Sequence, residues 1–194
     1  MLERVPLDAP QTVDSDALGE PRRRRPISVL VGAWGVLGVA LLLGRAATRL
    51  AVYAVEPIRE HSLTPTQMGI YAAWAAAGLY FEGYRAFQQR FCPRVAARAL
   101  HLGEHRDALH VVLAPLFCMG FFHANRRTKA LAWGTTIMIL CFIAILRHVP
   151  QPWRGIVDGG VVPPLVWGAV AVVVLYVRGV TGADVGSPEL PQDG

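Results

Sequence analysis

The sequence is poor in lysine and in cysteine. Lys129 is the one lysine among 19 basic residues, and this preference for arginine, together with the many alanines, is typical of a GC-rich bacterial genome. The three cysteines, Cys92, Cys118 and Cys141, are odd in number and have no CxxC spacing. The sequence therefore predicts small apolar cysteines and no disulfide framework.

The sequence also lacks the motifs that mark the common enzyme classes. It has no Walker loop, no GxSxG turn, no glycine-rich dinucleotide fingerprint and no complete metal motif. These absences give no basis for assigning an enzyme activity. The arginines are scattered through short segments without a soluble platform, so nucleic acid is not expected as a partner.

Long polar segments are few in the middle of the chain, where five apolar runs together occupy 87 of the 194 residues. A bilayer core about 30 Å thick takes about 20 apolar residues in a helix, and a helix satisfies its own backbone hydrogen bonds in lipid. The sequence therefore predicts an all-α, polytopic membrane protein with five hydrophobic segments. These segments cover residues 27–44, 68–84, 108–124, 130–146 and 160–177.

Acidic residues are scarce between the two ends of the chain. Residues 21–183 hold six acids and 18 basic residues, whereas the other eight acids lie near the termini. We expect a disordered acidic tail at 1–21, a membrane-embedded helical bundle at 22–181 and a disordered tail at 182–194.

Basic residues next to the apolar runs predict the orientation. Four consecutive arginines at 22–25 predict a cytoplasmic N-terminus in a bacterial inner membrane, and the arginine-rich loop 88–106 is expected on the same side. The excess of positive charge indicates a bilayer with anionic lipids as one partner.

The run at 108–124 is compatible with two topologies. If it crosses the membrane, five spans place 12 basic residues inside and seven outside. If it is re-entrant or interfacial, four spans place 14 inside and five outside, which fits the positive-inside rule better. Pro115 and Gly120 allow a break, but lipid does not tolerate irregular backbone. The apolar length favours five spans, with a helix kinked near Pro115.

Ionisable side chains mark the segment at 68–91. Glu82 and Arg85 are one helical turn apart, and an α-helix would place Tyr84 and Phe87 on a separate face. Because an ionisable residue within a span is a functional hypothesis by default, we expect Glu82, Arg85 and Tyr84 to form an intramembrane polar site, with Glu82 facing protein. Alternatively, Arg85 reaches the membrane surface, Glu82 neutralises it, and the aromatic residues form an interfacial belt.

Histidines near the ends of the runs are the candidate ligands for a cofactor. His110 and His123 bracket the third run, and each would need a partner elsewhere to hold a haem. In the segment HLGEH, His101 and His105 have the spacing of a zinc site. A third ligand is not evident, so no cofactor is predicted, and haem or metal binding is kept as an alternative.

Two further patterns indicate helix packing and helix ends. Gly32, Gly35 and Gly38 recur at three-residue spacing in the first run and leave a smooth stripe for a neighbouring helix. Asp158 precedes Gly159 at the head of the last run, where we expect it to cap the helix.

The sequence as a whole predicts a small bacterial integral membrane protein, most simply an accessory or assembly subunit that acts through helix packing. It would form a homo-oligomer or bind another membrane protein. One alternative is a small transporter or channel that uses Glu82 and Arg85. Another is a haem- or metal-binding membrane redox protein that uses His110 and His123.

Overall fold

The chain is helical throughout the part that the structure describes. The computed structural model describes residues 26–104, 111–122 and 124–186, and these contain no β-strand. The predicted all-α class is therefore confirmed, whereas the predicted tail at 1–21 lies outside the described residues. In chain order the helices are α1 (Pro26–Arg59), α2 (Pro65–Gly78), a π-helix (Leu79–Phe91), α3 (Cys92–Glu104), α4 (Ala114–Met119), α5 (Arg126–Leu146) and α6 (Trp153–Val180).

Within the described residues, three helices, α1, α5 and α6, are long and apolar enough to cross a membrane. They contain the apolar runs at 27–44, 130–146 and 160–177, so the prediction of a membrane protein is confirmed. The run at 68–84 is divided between α2 and the π-helix. In the run at 108–124 the described residues include the six-residue α4 and two further helical positions, Val111 and Val112, and five crossings are therefore not confirmed.

Pro115 and Gly120 set the short length of α4. Pro115 lies in the first turn of the helix, where its missing N–H costs no hydrogen bond. Gly120 ends the helix in the left-handed region, with a φ of 88°. The expected kinked helix is thus replaced, over 114–120, by a short helix that packs on α1. Pro115 lies against Gly38, and the Cys118 sulfur lies against Gly35.

Helices α1 and α6 pack along their lengths in opposite directions. Near the start of α1, the Tyr176 hydroxyl donates a hydrogen bond to the Val29 carbonyl. Near its other end, Pro57 lies against Gly155 of α6. Glycines at such contacts let the helix backbones approach closely.

The continuous run of α2, the π-helix and α3 lies beside α6 and parallel to it. Thr64 begins this run with a capping box, in which its side chain accepts from the Gln67 N–H and the Gln67 side chain accepts from the Thr64 N–H. At its other end, Gly103 lies against Ser28 of α1. Four pairs of contacting residues follow the run along α6, namely Gly78 with Gly160, Gly83 with Pro164, Phe87 with Gly168 and Leu100 with Gly179.

These contacts define two ends of the bundle. End A holds Pro26, Glu104 and Val180, and end B holds Arg59, Pro65 and Trp153. Helix α1 runs from end A to end B, the run of α2, the π-helix and α3 returns to end A, and α6 runs from end B to end A.

The buried core lies among α1, α3, α4 and α6. Helix α3 supplies many small side chains to it, so residues 88–104 do not form the loop that the sequence predicted there. Small residues explain the difference, because alanine and cysteine let α3 approach both α1 and α6. The core residues are Val36, Val39, Cys92, Val95, Ala96, Ala99, Leu100, Leu102, Ala114, Phe117, Cys118, Val172 and Tyr176.

Helix α5 stands apart from this core. Only 6% of its apolar window is buried, against 22% for α1 and 33% for α6. Both of its ends are held: Asn125 caps its start by accepting from the Thr128 N–H at 2.8 Å, and the Thr128 methyl group lies beside Gly120. Its last residue, Leu146, is buried and leads within a few residues to Trp153 at end B.

Candidate functional site

A polar cluster lies at end B, where α1, α2 and α6 meet. Three glycines of α6 let the other two helices come this close. Gly155 lies against Pro57 of α1, and Gly159 and Gly160 lie against the aromatic rings of α2. A Cβ atom at any of the three glycines would overlap its neighbour. The aromatic rings that fill these positions are those of Tyr71 and Trp74.

Asp158 is the buried charge at the centre of this junction, with only 1% of its surface exposed. Its Oδ2 lies 3.8 Å from the Nε of Arg154, one turn earlier on α6. Neither carboxylate oxygen accepts a hydrogen bond from the residues that the structure describes. A buried carboxylate with one ion pair and no hydrogen bonds is costly, and such groups are concentrated at functional sites.

Arg154 joins the carboxylate to α1. Its guanidinium carbon lies 3.6 Å from the centre of the Tyr53 ring, a distance typical of a cation–π contact. Gln151 holds the same end of α6 in place, because its amide donates to the Glu56 carboxylate at 2.9 Å and accepts from the Gly155 N–H at 3.0 Å.

The aromatic residues of α2 are bonded into the junction as well. The Tyr71 hydroxyl donates to the Ala54 carbonyl at 3.2 Å, and the Trp74 indole N–H donates to the Val157 carbonyl at 3.3 Å. The junction therefore combines a poorly paired acid with an arginine and a set of oriented donors.

The expectation that Asp158 caps α6 is wrong. The helix begins at Trp153, so Asp158 lies inside it and cannot reach the free N–H groups of the first turn. Because Arg154 can pair with Asp158 one turn later, the helix continues through the polar residues that suggested a boundary.

The second predicted site, at Glu82, Arg85 and Tyr84, lies on the outside of the bundle. All three side chains are exposed, so the expectation that Glu82 faces protein does not hold within the described residues. Only Gly83 of the π-helix is buried, against Pro164.

The π-helix explains this arrangement. With bonds from i to i+5 and about 4.4 residues per turn, residues three apart point about 115° away from each other. Glu82 and Arg85 accordingly form no ion pair with each other, although both are described. The same winding separates the aromatic residues: Tyr84 is stacked on Tyr80 at 6.2 Å and exposed, whereas Phe87 packs on Gly168 of α6.

Arg98 is a buried residue that the sequence analysis counted only as a topology signal. It is 1% exposed, and its guanidinium donates to the carbonyls of Phe117 and Phe122 at 2.8 Å each. It also lies 4.4 Å from the centre of the Phe117 ring. In the sequence, the neighbouring alanines Ala97 and Ala99 are the one feature that indicates a buried helix face around Arg98.

The remaining candidates are only partly described. His105, His110 and His123 lie outside the described residues, and His101 lies half-buried in α3. Among the residues that the structure describes, no group of three or more His, Cys, Asp or Glu side chains is placed to hold a metal ion. Gly32, Gly35 and Gly38 of α1 lie against Tyr176, Cys118 and Pro115 respectively.

The cysteines differ in accessibility. Cys92 is fully buried. Cys118 is buried, and Cys141 is exposed on α5.

These features define the class of the molecule as an all-helical membrane protein with a buried ion pair where three helices meet. No protein-family model, no curated protein and no solved structure matches the chain.

Proposed function

We propose that this protein is an accessory or assembly subunit of a bacterial cytoplasmic membrane that binds another membrane protein through α5. The observation that supports the proposal is the exposure of α5 on all sides over its apolar length, while both of its ends are fixed. A helix held in this way presents a prepared surface to a neighbour.

The small residues of α5 indicate the kind of partner. Ala130 and Gly134 are four residues apart and exposed, and a Cβ atom at Gly134 would meet nothing within 4 Å among the described residues. A glycine inside a helix costs about 1 kcal/mol relative to alanine. Small residues at this spacing are typical of helix–helix contacts in lipid. The partner is therefore a membrane helix that packs closely on this edge of α5.

In the proposed topology the chain crosses the membrane four times, through α1, the α2–π–α3 run, α5 and α6. End A and the segment around α4 face the cytoplasm, and end B faces the opposite side. Apart from Arg85, which lies near mid-depth, this assignment places 13 basic residues toward the inside and five toward the outside, in keeping with the positive-inside rule. It also leaves the irregular backbone around α4 packed against protein, which the bilayer requires.

Site-specific photo-crosslinking tests the binding role of α5. A photoreactive phenylalanine analogue at Ile137 of α5, which is 57% exposed and on the same face as Ala130 and Gly134, is compared with the same analogue at Leu41 of α1, which is 70% exposed. We expect position 137, and position 141 on the same face, to capture one and the same membrane protein, identified by mass spectrometry. Position 41 should capture lipid alone. Equal adducts at positions 137 and 41, or lipid adducts only, would contradict the proposal.

A second candidate function, movement of protons across the membrane, is favoured by the buried and poorly paired Asp158. It replaces the transporter hypothesis based on Glu82 and Arg85, which face away from the bundle interior. Proton flux into proteoliposomes loaded with a pH-sensitive dye, measured for the wild type and for Asp158→Asn, tests it. Equal flux in both, or none in the wild type, would exclude this function.

A further inference from the structure

The exposed face of the π-helix carries charges at the depth of the bilayer centre. Gly83 of the π-helix lies against Pro164, which is 11 residues after the start of α6 and 16 before its end. At 1.5 Å per residue these separations are about 17 Å and about 24 Å. If α6 crosses the membrane, Glu82 and Arg85 therefore lie near its middle.

Charges at this depth need a partner. An ionised side chain near the bilayer centre costs at least about 2.5–3.5 kcal/mol. The long side chain of Arg85 would have to extend more than about 10 Å to reach a headgroup region. Glu82 cannot neutralise Arg85 within the chain, because the winding of the π-helix points the two side chains apart.

We propose that two copies of this protein pair through this face of the π-helix, with Glu82 of each copy beside Arg85 of the other. A two-fold axis brings residue i of one copy to residue j of its partner and residue j to residue i. Glu82 and Arg85, about 115° apart, lie on the two flanks of one face, so under that operation the acid of each copy meets the base of the other. The two ion pairs so formed remove all four charges from lipid.

The residues around the pair fit such a contact. Phe81, which is 57% exposed, lies between Glu82 and Arg85 around the π-helix, and aromatic residues are enriched where protein surfaces meet. Gln88 accepts a hydrogen bond from the Trp167 indole at 2.8 Å, so the edge toward α6 is already satisfied within one copy. The pairing extends the proposed assembly role and uses a surface other than α5, which stays available to a different protein.

Charge reversal tests the pairing. Two differently tagged copies are co-expressed, extracted in a mild detergent and captured through one tag. Glu82→Arg alone and Arg85→Glu alone should each weaken self-capture at least about tenfold, because like charges then face each other. Co-expression of the Glu82→Arg chain with the Arg85→Glu chain should restore capture, because each arginine of one chain then faces a glutamate of the other. Glu60→Arg, a reversal at an exposed position at end B, should capture like the wild type.

A chain that carries both reversals, Glu82→Arg with Arg85→Glu, controls for folding and should again pair with itself. Single reversals that pair like the wild type, or a mixture that does not recover while the doubly reversed chain folds, would overturn the dimer. The α5 crosslinks distinguish this failure from failure of the proposed function. If they persist in a chain that does not pair, the assembly role stands without the dimer, and a different protein covers Glu82 and Arg85.

Discussion

Arg98 donates a hydrogen bond to the carbonyl oxygen of Phe117 across 19 residues of sequence. Phe117 lies in the last turn of α4, where its carbonyl oxygen also accepts from the Gly120 N–H at 3.0 Å. Arg98 therefore closes α4 from α3, and a second bond to the Phe122 carbonyl extends its hold past the turn at Gly120. One buried side chain thus fixes the segment that interrupts the membrane-length helices.

Replacing Arg98 should release this segment. We expect Arg98→Met to lower the free energy of unfolding by about 2–4 kcal/mol, because it removes two buried hydrogen bonds that a charged group donates. Arg90→Met, at an exposed position, should change stability by less than about 0.5 kcal/mol. Thermal unfolding in detergent, followed by circular dichroism, compares the two. Equal melting temperatures would show that Arg98 does not hold α4.

The pair of Arg154 and Asp158 predicts an asymmetry between two single substitutions. Arg154→Met leaves the Asp158 carboxylate buried without its cation and should cost about 2–3 kcal/mol. Asp158→Asn removes the buried charge and should cost less than about 1 kcal/mol. The double substitution should resemble Asp158→Asn. Chemical denaturation in detergent measures all three, and a larger loss for Asp158→Asn than for Arg154→Met would contradict the assignment of the buried charge.

The contact between α2 and α6 predicts different outcomes for two glycines of the same helix. At Gly78 a Cβ atom would overlap the Gly160 carbonyl oxygen, whereas at Gly69 it would meet nothing within 4 Å among the described residues. Gly78→Ala should therefore destabilise the protein by about 1–3 kcal/mol. Gly69→Ala should be neutral or stabilising by up to about 1 kcal/mol, since alanine favours the helix. Similar effects at the two sites would rule out close packing at Gly78.

The proposed topology predicts which positions react with a membrane-impermeant thiol reagent in intact cells. Cys92 lies in the loop that the sequence predicted at 88–106, but it is buried and is therefore unsuitable as a reporter of accessibility. In a chain with its three cysteines replaced by alanine, Glu60→Cys at end B should be labelled and Lys129→Cys at the start of α5 should be protected. Disrupting the cells should expose Lys129→Cys to the reagent. Labelling of both in intact cells would support five crossings.

The sequence by itself identified the lipid bilayer as the environment in which the chain folds. The runs at 27–44, 130–146 and 160–177 identify α1, α5 and α6, because transfer of an apolar helix into lipid depends mainly on its own residues. The charge count favoured a returning segment at 108–124, and Pro115 and Gly120 indicated where its helix stops. The apolar length of that run favoured a crossing instead, because hydropathy does not record the local breaks that the two residues impose.

Only the tertiary structure decided which residues lie inside. From the sequence, Arg98 is interpreted as a topology signal and Asp158 as a helix cap. Neither pattern shows their burial, because it depends on Phe117 and Tyr71 respectively, which are distant in sequence. Glu82 and Arg85 were recognisable as unusual, but their outward direction follows from the π-helical winding, which no local pattern revealed. Helix packing joins residues far apart in the chain, and the side chains that complete a buried site are therefore chosen by the fold rather than by neighbouring residues.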